Sequence, residues 1–407
     1  MGPHFLKDVL TIFLRKSGAD AVNALERFLC EVGFTLGTAC SGTDSPVFVV
    51  AALKEIFSKG GQQVNIRHVF SCELDSEKQK WIQEACPELE TLFADIRQLR
   101  DRNARNVISG KFEAVPKVFL FVAGFSCKDL SALNPNQSSH IHYIGNGEGS
   151  TGATFDGVIG YLILHQPNLV ILENVCGIAT LAKGKVLAEV LHLLDRAGYI
   201  VVHRRLNAKD FFVPQCRWRI WFVCVSKTFV AESNFSPDFV KIYLNQMMDL
   251  IGSNNQPLHM DDVLLSEADP AVQRHLGVCE NFRHRKTSAI EWMEQRISSV
   301  GESWFDSEFD IVDPETAALY PEYKTLTYRQ LDLLRYSNVS LPSYPCQILD
   351  INNSATFGGA TTIGYIGACT PKGQFFMSDR VRTCVVDGIG GMHDEYQNID
   401  MILIGRE

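Results

Sequence analysis

The sequence predicts an α/β fold: a doubly wound, Rossmann-like, mostly parallel sheet, with a second, smaller irregular domain. Three observations carry that expectation. Short, continuous apolar runs rich in Val, Ile, Leu and Phe recur through the first half of the chain. Segments of helical period separate them. From about residue 227 this rhythm gives way to scattered prolines and Ser/Asn-rich stretches such as IGSNNQP and INNSATFGG. Runs that are apolar throughout, rather than alternating, mark strands buried on both faces, as in a parallel sheet covered by helices.

The elements follow in order. The opening MGPHFLKDVLTIFLRK has an apolar stretch but no basic leader or small-residue cleavage site, so an amphipathic helix is expected rather than a signal peptide. FTLGTAC reads as the first strand and VFVVAALKEIF as its helix; HVFSCEL and SEKQKWIQEAC repeat the pattern, and LFA follows. KVFLFVAG is a buried strand that delivers the turn AGFSCKDLS and a polar loop. GVIGYLILHQ, LVILENV, the helix KVLAEVLHLLDRAG, and the strands YIVVHRRL and RWRIWFVCV complete the regular part. Three segments result: 1–226, an irregular 227–364 whose one good helical candidate is TSAIEWMEQRISS, and 365–407, which returns to the first.

At roughly 100 to 200 residues per domain, 407 residues accommodate two or three domains. With 46% hydrophobic and 21% charged residues, the chain has the composition of an ordinary folded protein. It lacks a run of about 18 uncharged apolar residues, so no membrane partner is expected. Twelve cysteines without a Cys-x-x-Cys pair argue against a zinc ribbon or redox dithiol; no metal site is expected, and most cysteines should be reduced core residues. A formal charge of −9 means that a polyanion would need a local basic stripe. Candidates are Arg97, Arg100, Arg102 and Arg105; His203, Arg204 and Arg205; and Arg283, His284, Arg285 and Lys286.

Ligands of a doubly wound sheet sit beyond the carboxyl ends of its strands. Cys40, Ser41, Gly42, Thr43 and Asp44 follow the first strand, Glu73 the second, Asp95 the run LFA, and Ser126 and Cys127 the run VFLFVAGF, while Glu173 and Asn174 end LVIL. The small-residue turn SGTDS leads into a helix, where backbone N–H groups could hold a carboxylate or phosphate. It is neither a G-x-G-x-x-G nor a Walker loop. Glu73 stands where an acidic side chain accepts from a ribose diol, or else caps its helix. Together they suggest an adenosine-containing cofactor. Cys127 alone reads either as a small core hydrophobe or as a nucleophile.

In the order and spacing of these motifs the chain resembles the cytosine-5 DNA methyltransferases over residues 35 to 225. AGFSCKDLS is similar to the family's Gly-Phe-Pro-Cys-Gln loop, LVILENV to its Glu-Asn-Val motif, and LNAKDFFVPQCRWRIWFV to its Gln-x-Arg-x-Arg strand, here Gln215, Arg217 and Arg219. The resemblance implies the methyltransferase form of the fold and S-adenosyl-L-methionine as cofactor, held by Cys40, Ser41, Gly42, Thr43, Glu73, Leu74, Asp95, Ile96 and Phe125. It implies that Cys127 adds to carbon 6 of a flipped cytosine, that Glu173 bonds ring nitrogen 3, and that Arg217 and Arg219 hold the base carbonyl and the backbone. Double-stranded DNA is the implied partner, with RNA as the alternative acceptor. A non-catalytic regulator that binds nucleic acid or a partner protein is the reading from a different class. Residues 1–226 would be the catalytic domain and 227–364 the target-recognition domain, with Arg283, Arg285 and Lys286 on phosphates. A DNA substrate implies the nucleus, with the cytoplasm as alternative. Ser126 and Lys128 replace the family's proline and glutamine. The first change is expected to loosen the turn, and the second to place a cation beside the thiol. ACTPKGQFFMSDRVRTCVVDG resembles the segment before the family's closing helix, but the usual Leu-Gln-Gly-Phe-Pro segment is not visible, so a divergent C-terminus is expected.

Overall fold

The computed structural model describes residues 3–58, 63–130, 142–213 and 217–251, the single residues His140, Pro270 and Gln273, and three short strands further on. The chain divides into two compact units: Met1–Phe211 with Trp218–Asn255, and Phe212–Arg217 with Gln256–Glu407.

In the first unit, helices α1 (Pro3–Ser17) and α2 (Ala19–Glu31) precede β1 (Phe34–Ala39), α3 (Ser45–Phe57), β2 (Ile66–Cys72), α4 (Ser76–Ala85) and β3 (Leu92–Phe93). A small hairpin, β4 (Asn103–Arg105) and β5 (Phe112–Ala114), leads to β6 (Leu120–Ala123), α5 (Tyr143–Asn146), α6 (Gly149–His165) and β7 (Leu169–Val175). After α7 (Gly177–Thr180), α8 (Lys185–Arg196), β8 (Tyr199–Asn207) and β9 (Trp218–Ser226) come α9 (Lys227–Glu232) and α10 (Pro237–Ile251).

Seven strands form one sheet in the order β3-β2-β1-β6-β7-β9-β8. The pairings of β1, β2, β3, β6 and β7 are parallel, whereas β9 runs antiparallel to both β7 and β8. The fold is therefore the expected doubly wound, mostly parallel α/β sheet. The winding direction reverses between β1 and β6, the place at the carboxyl rim where doubly wound sheets take their ligands.

The buried strand runs are covered on both faces, as their composition requires. One face packs Phe70, Phe121 and Phe222 against Phe155 and Tyr161 of α6 and Val190 of α8, all 0% exposed. The Phe121 and Tyr161 rings lie 4.4 Å apart. On the other face, Leu36 of β1 meets Leu29 of α2 and Val50 and Phe57 of α3. Further along that face, Ile200 and Val202 of β8 meet Val230 of α9 and Leu244 and Met248 of α10. This last contact carries the first unit on to Asn255, past the limit of 226 read from the sequence. The apolar stripe of α10 thus closes this face of the sheet.

The second unit contains β10 (Gln347–Asp350), β11 (Thr361–Ile363) and β12 (Phe375–Met377), an antiparallel sheet in the order β11-β10-β12. The expected helix TSAIEWMEQRISS, the cluster Arg283 to Lys286, Gln215 and the chain after Met377 lie outside the described residues. Among the described residues no helix is long and apolar enough to cross a membrane.

Gly157 of α6 ties the core to the rim. A Cβ there would stand 2.9 Å from the Ile96 carbonyl oxygen and 3.2 Å from the Arg97 nitrogen, both backbone atoms. Gly157→Ala is expected to destabilise the protein by about 1–3 kcal/mol, because overpacking against rigid backbone outweighs the gain in helix propensity of about 1 kcal/mol. Urea unfolding would check this, and an unchanged or raised midpoint would contradict the close approach.

Candidate active site

The turn after β1 is built from left-handed residues: Cys40, Gly42 and Asp44 have φ of 51°, 57° and 57°. Bonds of the intervening Ser41 side chain and of the backbone fix the turn. Ser41 Oγ donates to the Cys72 carbonyl at 3.2 Å, accepts from the Cys72 N–H at 3.3 Å and lies 2.8 Å from Thr38 Oγ1. The Asp44 N–H closes the turn onto the Ser41 carbonyl at 2.7 Å. Thr43 Oγ1 stands 3.3 Å from Ser45 Oγ at the start of α3.

Glu73, 8% exposed, joins this turn to β2. Its Oε2 accepts from the Gly42 N–H at 2.7 Å, and its Oε1 from the N–H groups of Leu74 and Asp75 at 2.9 and 3.0 Å. A carboxylate has about four lone-pair sites, so acceptor capacity remains for a ribose hydroxyl. The next side chain, Leu74, is 70% exposed, and a Cβ added to Gly42 would meet nothing within 4 Å among the described residues. A fixed acceptor, an apolar side chain in solvent and open space over a glycine fit a nucleoside with a charged tail, such as S-adenosylmethionine. Asp95, after β3, is bonded by the Arg97 backbone and guanidinium. Burial works to raise its pKa, but the Arg97 bonds and charge prevail and hold it below the usual carboxylate range. Ile96 and Phe125 are 4% and 2% exposed and line the core beneath the rim.

Beneath the turn lies a buried polar cluster that the sequence did not single out. Ser71 Oγ donates to Asp44 Oδ2 and lies 3.0 Å from His68 Nε2, which is 3.8 Å from the same carboxylate oxygen. Asp44 is 0% exposed, and its Oδ1 has no hydrogen-bond partner among the described residues. Burial pushes the Asp44 carboxyl up to about 6, against the bonds from Ser71 and Thr38 and helped by the Glu73 charge. Burial also brings the His68 imidazole down to about 4. The Cys40 thiol is pushed up to about 12 by burial and by the carboxylates of Glu73 and Asp95, and Cys72 is raised for the same reasons. Burial alone raises Cys224, and burial with the Asp44 charge brings Cys86 to about 11.

The loop after β6 carries Cys127, half-buried, and is fastened on two sides. On the β7 side, Asn174, 1% exposed, donates from Nδ2 to the Phe125 carbonyl at 2.8 Å. On the helix side, the Ser126 N–H donates to Thr154 Oγ1 at 3.0 Å, and Ser126 Oγ lies 2.8 Å from Ser150 Oγ. Asp129 and Thr151 bond reciprocally, the Thr151 N–H to Asp129 Oδ2 at 2.7 Å and the Asp129 N–H to Thr151 Oγ1 at 3.1 Å. The loosening expected from Ser126 in place of proline is thus offset, since the N–H a proline lacks is used as an anchor. These anchors, Ser150, Thr151 and Thr154 in the first turns of α6, were not singled out from the sequence.

Glu173, near the end of β7, receives Arg219 of β9: Nε lies 3.0 Å from Oε1. The register pairs Glu173 with Trp221 and Val175 with Arg219, so the two charged residues are diagonal neighbours on one face. Glu173 Oε2 stands 3.4 Å from where a Cβ on Gly124 would be, three residues before Cys127. Arg219 also donates from Nη1 to the Trp218 carbonyl at 2.8 Å. Arg217, half-buried ahead of β9, falls with the second unit and is described apart from this pair. Among the proposed basic stripes, Arg97 pairs with Asp95, Arg100 with Asp156 and Arg204 with Asp249. A cleft of about 340 Å³ lined by Gly33, Asn65, Arg67, Lys117 and Asn168 lies at the opposite, amino edge of the sheet, away from these groups.

The model of the family described as C-5 cytosine-specific DNA methylase matches residues 52–309. A DNA (cytosine-5-)-methyltransferase of Cryptococcus neoformans is 30% identical over 241 residues, covering 59% of this chain and 9% of that protein. One from Verticillium dahliae is 25% identical over 286 residues, covering 59% and 12%. The chain thus spans about a tenth of the length of these fungal relatives. A type II methyltransferase of Haemophilus parainfluenzae is 31% identical over 179 residues, covering 44% and 45%. Among solved structures, the S. pombe Dnmt2 methyltransferase aligns with a TM-score of 0.36 at 13% identity, covering 64% of this chain and 66% of that one.

The buried cluster gives a pH signature. Asp44, raised from 3.8, contributes stability that is full below pH 3.8 and lost as pH rises through about 6. His68, lowered from 6.5, contributes stability that is full above pH 6.5 and lost as pH falls through about 4. The two slopes oppose each other in the intact chain. Asp44→Asn is therefore expected to lose up to about 3 kcal/mol between pH 6.5 and 4, and His68→Gln to lose a similar amount as pH rises over that window. Urea midpoints at four or five pH values would show it, and slopes of the same sign in both variants would refute it.

Proposed function

The chain belongs to the C-5 cytosine-specific DNA methylase family, and from that membership we propose that it transfers a methyl group from S-adenosylmethionine to carbon 5 of cytosine in double-stranded DNA. The observation that carries the reading is the meeting of the Glu173–Arg219 pair with the anchored Cys127 loop at the rim where the sheet reverses its winding. When bound, S-adenosylmethionine supplies an electrophilic methyl group. Glu73 would take the ribose diol, Leu74 would pack on the base, and the turn Cys40–Thr43 would offer its backbone N–H groups to the charged tail. Asp95, turned toward Arg97 by its ion pair, would border the same cleft.

Carbon 5 of cytosine is a weak nucleophile until carbon 6 is attacked. Cys127 would add to carbon 6 as the thiolate, making the ring electron-rich at carbon 5. Charge then develops at ring nitrogen 3 and the exocyclic oxygen. Glu173 would share a proton with nitrogen 3, and Arg219 would turn its fork of donors to the oxygen while keeping the Glu173 carboxyl in place. Arg217 would hold the flipped nucleotide from the strand entrance. After transfer a water molecule would take the carbon-5 proton, the freed electron pair would re-form the carbon 5–carbon 6 double bond, and the carbon–sulfur bond would break to release Cys127 as the thiolate. The tight fastening of Phe125, Ser126 and Asp129 supports this role, because attack on a ring carbon tolerates little displacement of the sulfur.

Incubation with radiolabelled S-adenosylmethionine and duplex DNA, with a structured RNA as the alternative acceptor, tests the reading. Label is expected in DNA, none with Cys127→Ala, and about 10²–10³-fold less with Glu173→Gln. Label confined to RNA would replace the substrate, and no label on either acceptor from a folded chain would refute catalysis.

A further inference from the structure

Trp218 begins β9, between Arg217 and Arg219, and 46% of it is exposed. The other two described tryptophans, Trp81 and Trp221, are half-buried. The strand alternation sets Trp218 on the opposite face from Arg219, so the rim carries a charged pair on one side and an indole on the other. The indole does not stand alone: the Arg205 guanidinium carbon lies 5.7 Å from the ring centroid. The register explains the contact, since Asn207 pairs with Trp218 and Arg205 pairs with Ile220, which makes Arg205 the diagonal neighbour. Adjacent Arg204 is neutralised by Asp249 at 2.9 Å, whereas Arg205 has no carboxylate partner among the described residues. A chain of net charge −9 therefore presents, one residue from the Glu173–Arg219 pair, an exposed aromatic surface with an uncompensated cation against it.

We propose that Trp218, backed by Arg205, is a stacking surface for a base of the nucleic-acid substrate that neighbours the target cytosine. This inference rests on the reading of the chain as a nucleic-acid methyltransferase. The chemistry selects the ligand. An apolar protein partner would gain from the indole but would have to strip water from the Arg205 charge, whereas a nucleotide brings a π-face for the ring and a phosphate for the guanidinium. Displacing the target base from the duplex leaves its neighbours partly unstacked, and an indole at the site rim replaces the contact they lose.

The test uses the full chain, a fluorescein-labelled mixed-sequence duplex and poly(dI-dC) as methyl acceptor. Trp218→Ala and Trp218→Leu are expected to weaken binding five- to a hundredfold, and Trp218→Phe to restore most of it. KM should rise in the same proportion, with a smaller change in kcat. Arg205→Ala should lower the salt dependence of binding by about one phosphate contact, and Arg205→Lys should keep it. DNA should quench the tryptophan emission of the intact chain but not of Trp218→Phe. Circular dichroism and thermal melting establish that the variants fold. Methyl transfer by the intact chain, with Trp218→Leu at its affinity and KM, would overturn the stacking role and leave the proposed function standing. Absence of methyl transfer with binding that still depends on an aromatic at position 218 would do the reverse. An intact chain that does not bind DNA would overturn the stacking surface.

Discussion

The antiparallel course of β9 is the constraint from which the site follows. Parallel strands bring only their carboxyl ends to the ligand rim, and those ends are where backbone carbonyls and acidic or nucleophilic turns collect. A strand running the other way brings its beginning to the same rim, so Arg219 at the start of β9 meets Glu173 at the end of β7. With β9 reversed in place but parallel, the arginine would lie at the far edge, some nine residues of strand away. The ion pair is therefore a product of topology as much as of composition, and it keeps two groups of opposite charge poised where neither is spent on the core.

The rim divides into two halves with different engineering. On the β1–β2 side, backbone N–H groups converge on Glu73, and left-handed residues bend the chain sharply enough to bring them there. On the β6–β7 side, side chains do the fastening: Asn174 from within the sheet and Ser150, Thr151 and Thr154 from the helix that follows. Backbone cradles suit a ligand that must be gripped along its length. A loop fastened by side chains suits a group that must hold one position while a planar ring arrives.

Much of this was legible in the sequence, for physical reasons. Parallel strands must be apolar on both faces, so they stand out as runs, and the residue after each run is placed at the rim by topology alone; Glu73, Cys127 and Glu173 were found that way. Three things were hidden. The strands of the β4–β5 hairpin are three residues each, too short for any period to register. The continuation of the first unit through α10 falls where the strand–helix rhythm of the sequence gives way to irregular composition. The Asp44–Ser71–His68 cluster unites residues 24 to 27 positions apart whose meeting depends on the pairing of β1 with β2, and a buried carboxylate in a turn looks like a solvated one until its burial is known. Ile96 and Phe125, which the resemblance implies as cofactor contacts, are 4% and 2% exposed among the core residues beneath the rim, a burial that no sequence pattern announces.

The raised thiol pKa values of Cys40, Cys72, Cys86 and Cys224 have a consequence for durability. Peroxides and electrophiles react with thiolates, and these four groups stay protonated throughout the physiological range. A chain with twelve cysteines thereby withholds a third of them from oxidative damage by electrostatics and burial alone, without the protection of disulfides.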